Sequence, residues 1–183
     1  RSVVHNEGSK LDWPFTSGAA FAPAAQRTGV IMDLGVHVLD FYQYVLESAW
    51  TLRQARHDGF AGPEGLTQIE LLAGDAPVSI RLSRYLRQDN LAVLSFEHAD
   101  VVIRLYDWNN YTIRDGRKSQ TLSAPSPIRT FPGLAQALIT NFLAASRGEE
   151  PALCSAADAL HTIALLDRIY QTAGHYPVAV GAA

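Results

Sequence analysis

The sequence predicts an α+β fold: an open, mostly antiparallel β-sheet of about six strands, with one early helix and two C-terminal helices packed on one face. Three observations predict it. Val30 to Leu46 is almost wholly apolar and carries its charged residues at helical spacings. From Trp50 to Asp115 the chain breaks into short runs rich in Val, Ile, Leu and Tyr, separated by turn signals. Beyond Pro127 two stretches place apolar residues three and four apart, the second behind a capping signature. The 183 residues suffice for one domain with a substantial core.

Ser2 to His5 reads as a strand already under way at Arg1, as expected of a piece of a longer protein. Residues 6 to 28 mix Asn, Gly, Ser, Pro and Ala irregularly, which predicts a long ordered loop pinned by Trp13-Pro14-Phe15. Gly29 leads into a helix of about 17 residues. Trp50 to Asp58 opens the strand-rich half. Leu66 to Ala73, Pro77 to Leu86, Leu91 to His98, Val101 to Trp108 and Tyr111 to Asp115 follow, with connections short enough to favour antiparallel pairing. Val78, Ile80 and Leu82 alternate with Ser79, Arg81, Ser83 and Tyr85, the two-residue period of a sheet with one core face. Arg81, Tyr85, Tyr106 and Trp108 are expected together on the outer face, an amphipathic patch suited to contact between copies in a homo-oligomer. Leu134, Leu138, Phe142 and Leu143 then mark one face of a helix ending near Gly148. Ser155 is the predicted N-cap of the last helix and Asp158 its capping-box acid, with Leu160, Ile163, Ala164, Ile169 and Tyr170 as the buried stripe.

Hydrophobic residues make up 48% and charged residues 18%, ordinary for a soluble globular protein. A formal net charge of −3 without any basic run gives no electrostatic case for nucleic acid or an acidic membrane as partner. No apolar run approaches the roughly 18 residues needed to span a bilayer. The single Cys154 excludes an internal disulfide and fits a reducing compartment, so a cytoplasmic location is expected. A structural role is expected for that thiol.

Asp33, His37, Asp40 and Tyr44 recur at spacings of four, three and four. At roughly 100° per residue all four project from one narrow stripe. Met32, Leu34, Val36, Leu39, Phe41, Val45 and Leu46 flank it, while Ile31, Val38 and Tyr42 lie opposite. A helix so apolar is expected to be buried, with its polar stripe paired or hydrogen-bonded. A metal held by Asp33, His37 and Asp40 is chemically possible, but three ligands along one straight helix converge poorly on one ion. Packing with a hydroxyl partner is expected for Tyr44. His5, His57, His98, His161 and His175 have no patterned partner and read as surface or packing residues.

The run Gly29-Val30-Ile31-Met32-Asp33-Leu34-Gly35-Val36-His37-Val38-Leu39-Asp40, with its D-x-G-x-H-x-x-D core, resembles the helix signature of the Gfo/Idh/MocA family of glucose-fructose oxidoreductases and inositol dehydrogenases. Phe142 to Gly148, Pro151, Ala156-Ala157-Asp158 and Leu166 to Tyr170 are similar to that family's closing helices, so the likeness runs from about residue 1 to about residue 174. It implies the substrate-binding and oligomerisation domain, residues 1–183, of an oxidoreductase acting on a sugar, polyol or related hydroxylated compound. NAD or NADP would be bound mainly by an N-terminal Rossmann domain, the expected partner. No G-x-G-x-x-G run and no E-K-P lysine motif occurs in the 183 residues, so the chain alone is expected to be inactive. Arg27-Thr28-Gly29 stands where many members carry two or three glycines.

By this resemblance Asp33 and His37 match the family's aspartate and histidine at the substrate, with His37 the candidate acid and base. The chemistry agrees, because an imidazole can take an alcohol proton near neutral pH. Asp33 would hydrogen-bond the substrate or orient the ring. Asp40 would support, by fixing the other ring nitrogen or by tying the helix to the sheet. Trp13, Arg84 and Tyr85 are candidates for substrate contact, Trp13 as a wall of the pocket or simply as an anchor of its loop. The rival class is a noncatalytic binding or oligomerisation module of the same fold.

Overall fold

A computed structural model describes residues 1–8, 29–59, 63–84, 86, 88–105, 107, 110–124 and 130–176. β1 (Ser2–Glu7) precedes a π-helical turn, Ile31–Gly35, that continues without a break as α1 (Val36–Leu46). The strands β2 (Trp50–His57), β3 (Leu66–Ala73), β4 (Ala76–Ser83), β5 (Leu91–Ser95), β6 (Asp100–Arg104), β7 (Asn110–Asp115) and β8 (Lys118–Ser123) follow. Then come α2 (Phe131–Ser146), α3 (Ala156–Thr172) and the short β9 (Gly174–His175). The α+β class predicted from the sequence holds.

The predicted sheet of about six mostly antiparallel strands does not. Nine strands form one mixed sheet in the order β8-β7-β6-β5-β1-β4-β3-β2-β9. β1 runs parallel to β4, and β9 parallel to β2. Sequence reasoning overlooked β8 because Lys118–Ser123 carries no apolar alternation, only Leu122. Its pairing is enforced by the two-residue hairpin at Gly116, whose φ of +53° suits a residue without a side chain, with Asp115 opposite Lys118. β9 has two residues and exists only where the end of α3 returns beside β2.

Val78, Ile80 and Leu82 all face the core fully buried, as their alternation predicts. Ile69 and Leu71 on β3 share that face with them. Ile31, Leu39 and Tyr42 from the first helix and Leu166 and Ile169 from α3 close over it. Each such side chain contributes roughly 1.5–3 kcal/mol on burial.

The capping box is present: Ser155 Oγ accepts from Asp158 N–H at 3.2 Å, and the Ser155 N–H donates to Asp158 Oδ2 at 2.8 Å. The stripe behind it is rotated from its expected position. Thr162, Leu165, Leu166 and Ile169 are buried, whereas Leu160, Ile163 and Ala164 are exposed, because α3 packs against both α1 and β2. The expectation of two helices packed on the sheet is met by α3 alone. None of the described α2 side chains is buried, and Leu138, Ile139, Phe142 and Leu143 are exposed.

The first helix is anchored at its start by Glu64, which is 5% exposed. Its backbone carbonyl accepts from Val30 N–H at 2.8 Å, and its Oε1 accepts from Ile31 N–H and Tyr170 Oη–H, each at 2.9 Å. A carboxylate at a helix N-terminus satisfies orphan donors and complements the dipole. Gly29 is required beside it, since a Cβ there would lie 2.0 Å from the Glu64 carboxylate.

Candidate functional site

The polar stripe faces solvent. Asp33, His37, Asp40 and Tyr44 are all exposed, Tyr44 by 80%, while Ile31, Val38, Leu39 and Tyr42 are buried. This corrects the expectation of a buried helix with a buried stripe. Only one face of the helix meets the sheet, and the arrangement that buries the apolar face spares two carboxylates the cost of leaving water. The hydroxyl packing expected of Tyr44 is likewise overturned.

The stripe residues also diverge in what they touch. Asp33 accepts from the Arg84 guanidinium at 2.7 Å and does not bond His37. Arg84, at the end of β4, is itself held by its N–H donating to Gly65 O at 2.8 Å. Asp33 lies in the π turn, where the wider winding takes it out of phase with the α-helical residues that follow. Asp40 Oδ1 accepts from Thr162 Oγ1 at 3.1 Å, and Gln43 Oε1 lies 3.2 Å from the same hydroxyl. Asp40 therefore ties α1 to α3, not to the sheet and not to the His37 ring. His37 makes no hydrogen bond among the described residues and faces an opening on the other side of α1. Trp13 and Tyr85 lie outside the described residues, as do Tyr106 and Trp108 of the outer patch; Arg81 of that patch is exposed.

That opening is a cavity of about 680 Å³ between α1 and the strands β5 to β7. His37, Val38 and Phe41 form one wall, and Val101, Ile103 and Leu105 form part of the other. His5 and Glu7 also line it, buried to 4% and 9% exposure. The His5 ring joins Tyr42 Oη through Nδ1 at 3.0 Å and Glu7 Oε2 through Nε2 at 3.2 Å. Burial, reinforced by the charge of Glu7, pushes the Tyr42 hydroxyl well above its ordinary pKa, so it stays protonated and donates. The bonds then run in one direction, from Tyr42 O–H to His5 Nδ1 and from His5 Nε2–H to Glu7. Sequence reasoning missed this trio, treating His5 as a surface or packing residue. The available signal was weak: His5 and Glu7 share the parity of Val3 on β1, and only the tertiary fold brings Tyr42 to them.

A different environment surrounds His57 at the end of β2. Burial lowers its pKa, and its Nδ1 accepts from Gly59 N–H at 3.0 Å. Among the described residues no three His, Cys, Asp or Glu side chains gather as metal ligands, and no helix is long and apolar enough to cross a membrane. Cys154 is exposed rather than packed.

No protein-family model matches the sequence, and no curated protein does. Solved structures do. The chain is similar to KijD10, a 3-ketoreductase from Actinomadura kijaniata in complex with NADP and TDP-benzene, at a TM-score of 0.77 and 14% identity over 97% of this chain and 55% of that one. It has their fold. An aldose-aldose oxidoreductase from Caulobacter crescentus, complexed with glycerol, matches at 0.71 with 19% identity over 93% of this chain and 52% of that one. The dehydrogenase MviM from Clostridium difficile matches at 0.68 with 9% identity over 93% and 54%. The chain thus spans about half the length of these oxidoreductases.

At the start of the first helix the Ile31 amide already donates to the Glu64 carboxylate and the Val30 amide to the Glu64 carbonyl, so neither is open to an anion.

Proposed function

We propose that residues 1–183 are the C-terminal substrate-binding and oligomerisation domain of a cytoplasmic NAD(P)-dependent oxidoreductase of the Gfo/Idh/MocA type, acting on a sugar, polyol or related hydroxylated compound. The observation that carries the reading is His37: an exposed imidazole, hydrogen-bonded to no described residue, on the wall of a cavity in a fold shared with a 3-ketoreductase and an aldose-aldose oxidoreductase. NAD or NADP, held by a Rossmann domain outside these residues, would supply the hydride acceptor.

The chain's own residues handle the proton and the geometry. His37 takes the alcohol proton as the carbonyl forms, and returns it in the reverse direction. Asp33, fixed by Arg84, presents a carboxylate oxygen to a neighbouring substrate hydroxyl. Arg84 thereby acts on substrate position through Asp33. Asp40 holds α1 against α3 and so sets the orientation of His37. Trp13 and Tyr85 are proposed as substrate contacts on the strength of the sequence alone. Copies of the chain assemble through the outer sheet face, where Val4 and Arg81 are exposed. The domain by itself is inactive, because half a site cannot position both reactants.

The test is alcohol-dependent NAD(P)H formation by the polypeptide as its gene encodes it. His37→Ala is expected to lower turnover roughly 10²- to 10⁴-fold with an unchanged melting temperature. Asp33→Ala is expected to weaken both turnover and substrate affinity. Wild-type turnover in the His37 variant would remove the imidazole from the chemistry.

A further inference from the structure

α2 contains no ionisable residue, and none of its described side chains is buried. Leu134, Leu138, Ile139, Phe142 and Leu143 span roughly 180° of its circumference at 100° per residue. A helix apolar around so much of its surface is ordinarily buried. Asn141 ties it to the turn before α3, donating to Pro151 O at 3.0 Å and accepting from Leu153 N–H at 2.9 Å. Leu153 on that turn and Leu160 and Ile163 on α3 are exposed as well. α3 in turn meets α1 through Thr162 and Asp40, and α1 exposes Phe41, Tyr44 and Val45. Apart from Val4 and Phe96, every exposed large hydrophobic side chain among the described residues thus lies on the three helices or on the turn joining the last two. A stable complex buries about 800 Å² per partner. Leu138, Ile139, Phe142, Leu143, Leu153, Leu160 and Ile163, each between 46% and 70% exposed, offer apolar surface on that scale.

Two observations say what covers it. α1 belongs to this surface, and its exposed side carries His37 beside the cavity. Hydride transfer needs the nicotinamide against the carbon whose hydroxyl His37 deprotonates, so the domain bearing the cofactor has to approach from that side, where a second copy would shut it out. The matched region is also only 55% of KijD10, which holds NADP, and 52% of the aldose-aldose oxidoreductase, leaving nearly half of each chain for a further domain. We propose that α2, the turn at Leu153 and the exposed sides of α1 and α3 are the seat on which the nucleotide-binding domain of the same polypeptide docks. The identity of that domain rests on the oxidoreductase reading. A seat this apolar resembles a core cut in half more than a reversible contact, and it holds the two halves of the active site in fixed register.

The experiment is photo-cross-linking of the polypeptide as its gene encodes it, with Phe142→p-benzoylphenylalanine and, in case that variant folds poorly, Ile139→p-benzoylphenylalanine. The expected product has the mass of one polypeptide and joins the probe to peptides outside residues 1–183. The same probe at Val4, on the opposite face of the sheet, is expected to capture none of those peptides. A cross-linked dimer overturns the proposal in favour of a second copy. Cross-links confined to residues 1–183, no cross-link from either position, or capture from Val4 as readily as from Phe142 overturn it too. Capture of the outside peptides in a polypeptide that binds neither NAD nor NADP leaves the docking face standing and removes the oxidoreductase reading. NAD(P)-linked turnover together with dimer cross-links does the reverse.

Discussion

On β4 the helix-facing side chains of Val78, Ile80 and Leu82 are sealed, with no measurable exposure. On β6, three strands away in the same sheet, Val101 and Ile103 face the same side and stay partly open. The two regions share strand chemistry and register, since Ile80, His5, Ala92 and Ile103 form one continuous row across β4, β1, β5 and β6. What differs is the cover. The first helix and α3 close the β1 to β4 half, and no described helix closes the other. One half of the sheet is thus a core and the other a cavity wall, with α1 forming the border between them. Its buried face belongs to the first half, and His37 belongs to the second.

This contrast breaks most sharply under truncation. Ile80→Ala should destabilise the chain by about 3 kcal/mol through a cavity that cannot collapse, whereas Ile103→Ala should cost only about 1 kcal/mol, both read from urea midpoints. Equal losses would mean that the β6 side chain is covered after all. At the border, Gly29→Ala should cost about 2 kcal/mol, because its Cβ would displace the Glu64 carboxylate from the helix start. Gly35→Ala in the same helix meets Leu82 at an ordinary 3.5 Å and should be stabilising by about 0.5 kcal/mol. Thermal melts of the pair sharpen where packing against the border helix is tight.

Smaller effects are expected at the periphery. The Asp33–Arg84 pair has side chains 56% and 28% exposed, so Arg84→Ala should change stability by less than about 1 kcal/mol while weakening substrate affinity more clearly. The smallest effect is the pH response of His57. Its folded pKa lies below the ordinary 6.5, so the folded state binds fewer protons than the unfolded one within that window. The stability it contributes is present above pH 6.5 and declines as pH falls toward the folded pKa, since protonating Nδ1 also breaks the bond from Gly59 N–H. His57→Gln should flatten the fall of the melting temperature as pH drops below 6.5. An unchanged slope would assign the acid sensitivity elsewhere.

Much of the sheet was readable because β3 and β4 obey a two-residue period next to Gly74, a turn residue with positive φ. The capping box of α3 was equally plain, since Ser155 and Asp158 bond to groups within the same turn. The orientation of α3 was not, because Leu160 and Ile163 look as buriable in sequence as Leu165 and Leu166. The candidate site divides in the same way. His37 stands out in its helix, but its separation from Asp33 depends on a π turn, and its cavity depends on strands more than fifty residues distant.

By itself the sequence determined the class of the fold, the apolar faces of the strands, the existence of three helices and the set of polar residues on the first of them. These follow from local periodicity and from bonds that close within a turn. Only the tertiary structure decided which face of the first helix meets the sheet, that β1 inserts parallel to β4, and that His5, Glu7 and Tyr42 meet at the cavity His37 also lines. Such choices minimise the desolvation of charge and maximise apolar contact over the whole molecule, and no short window of the chain contains both sides of that balance.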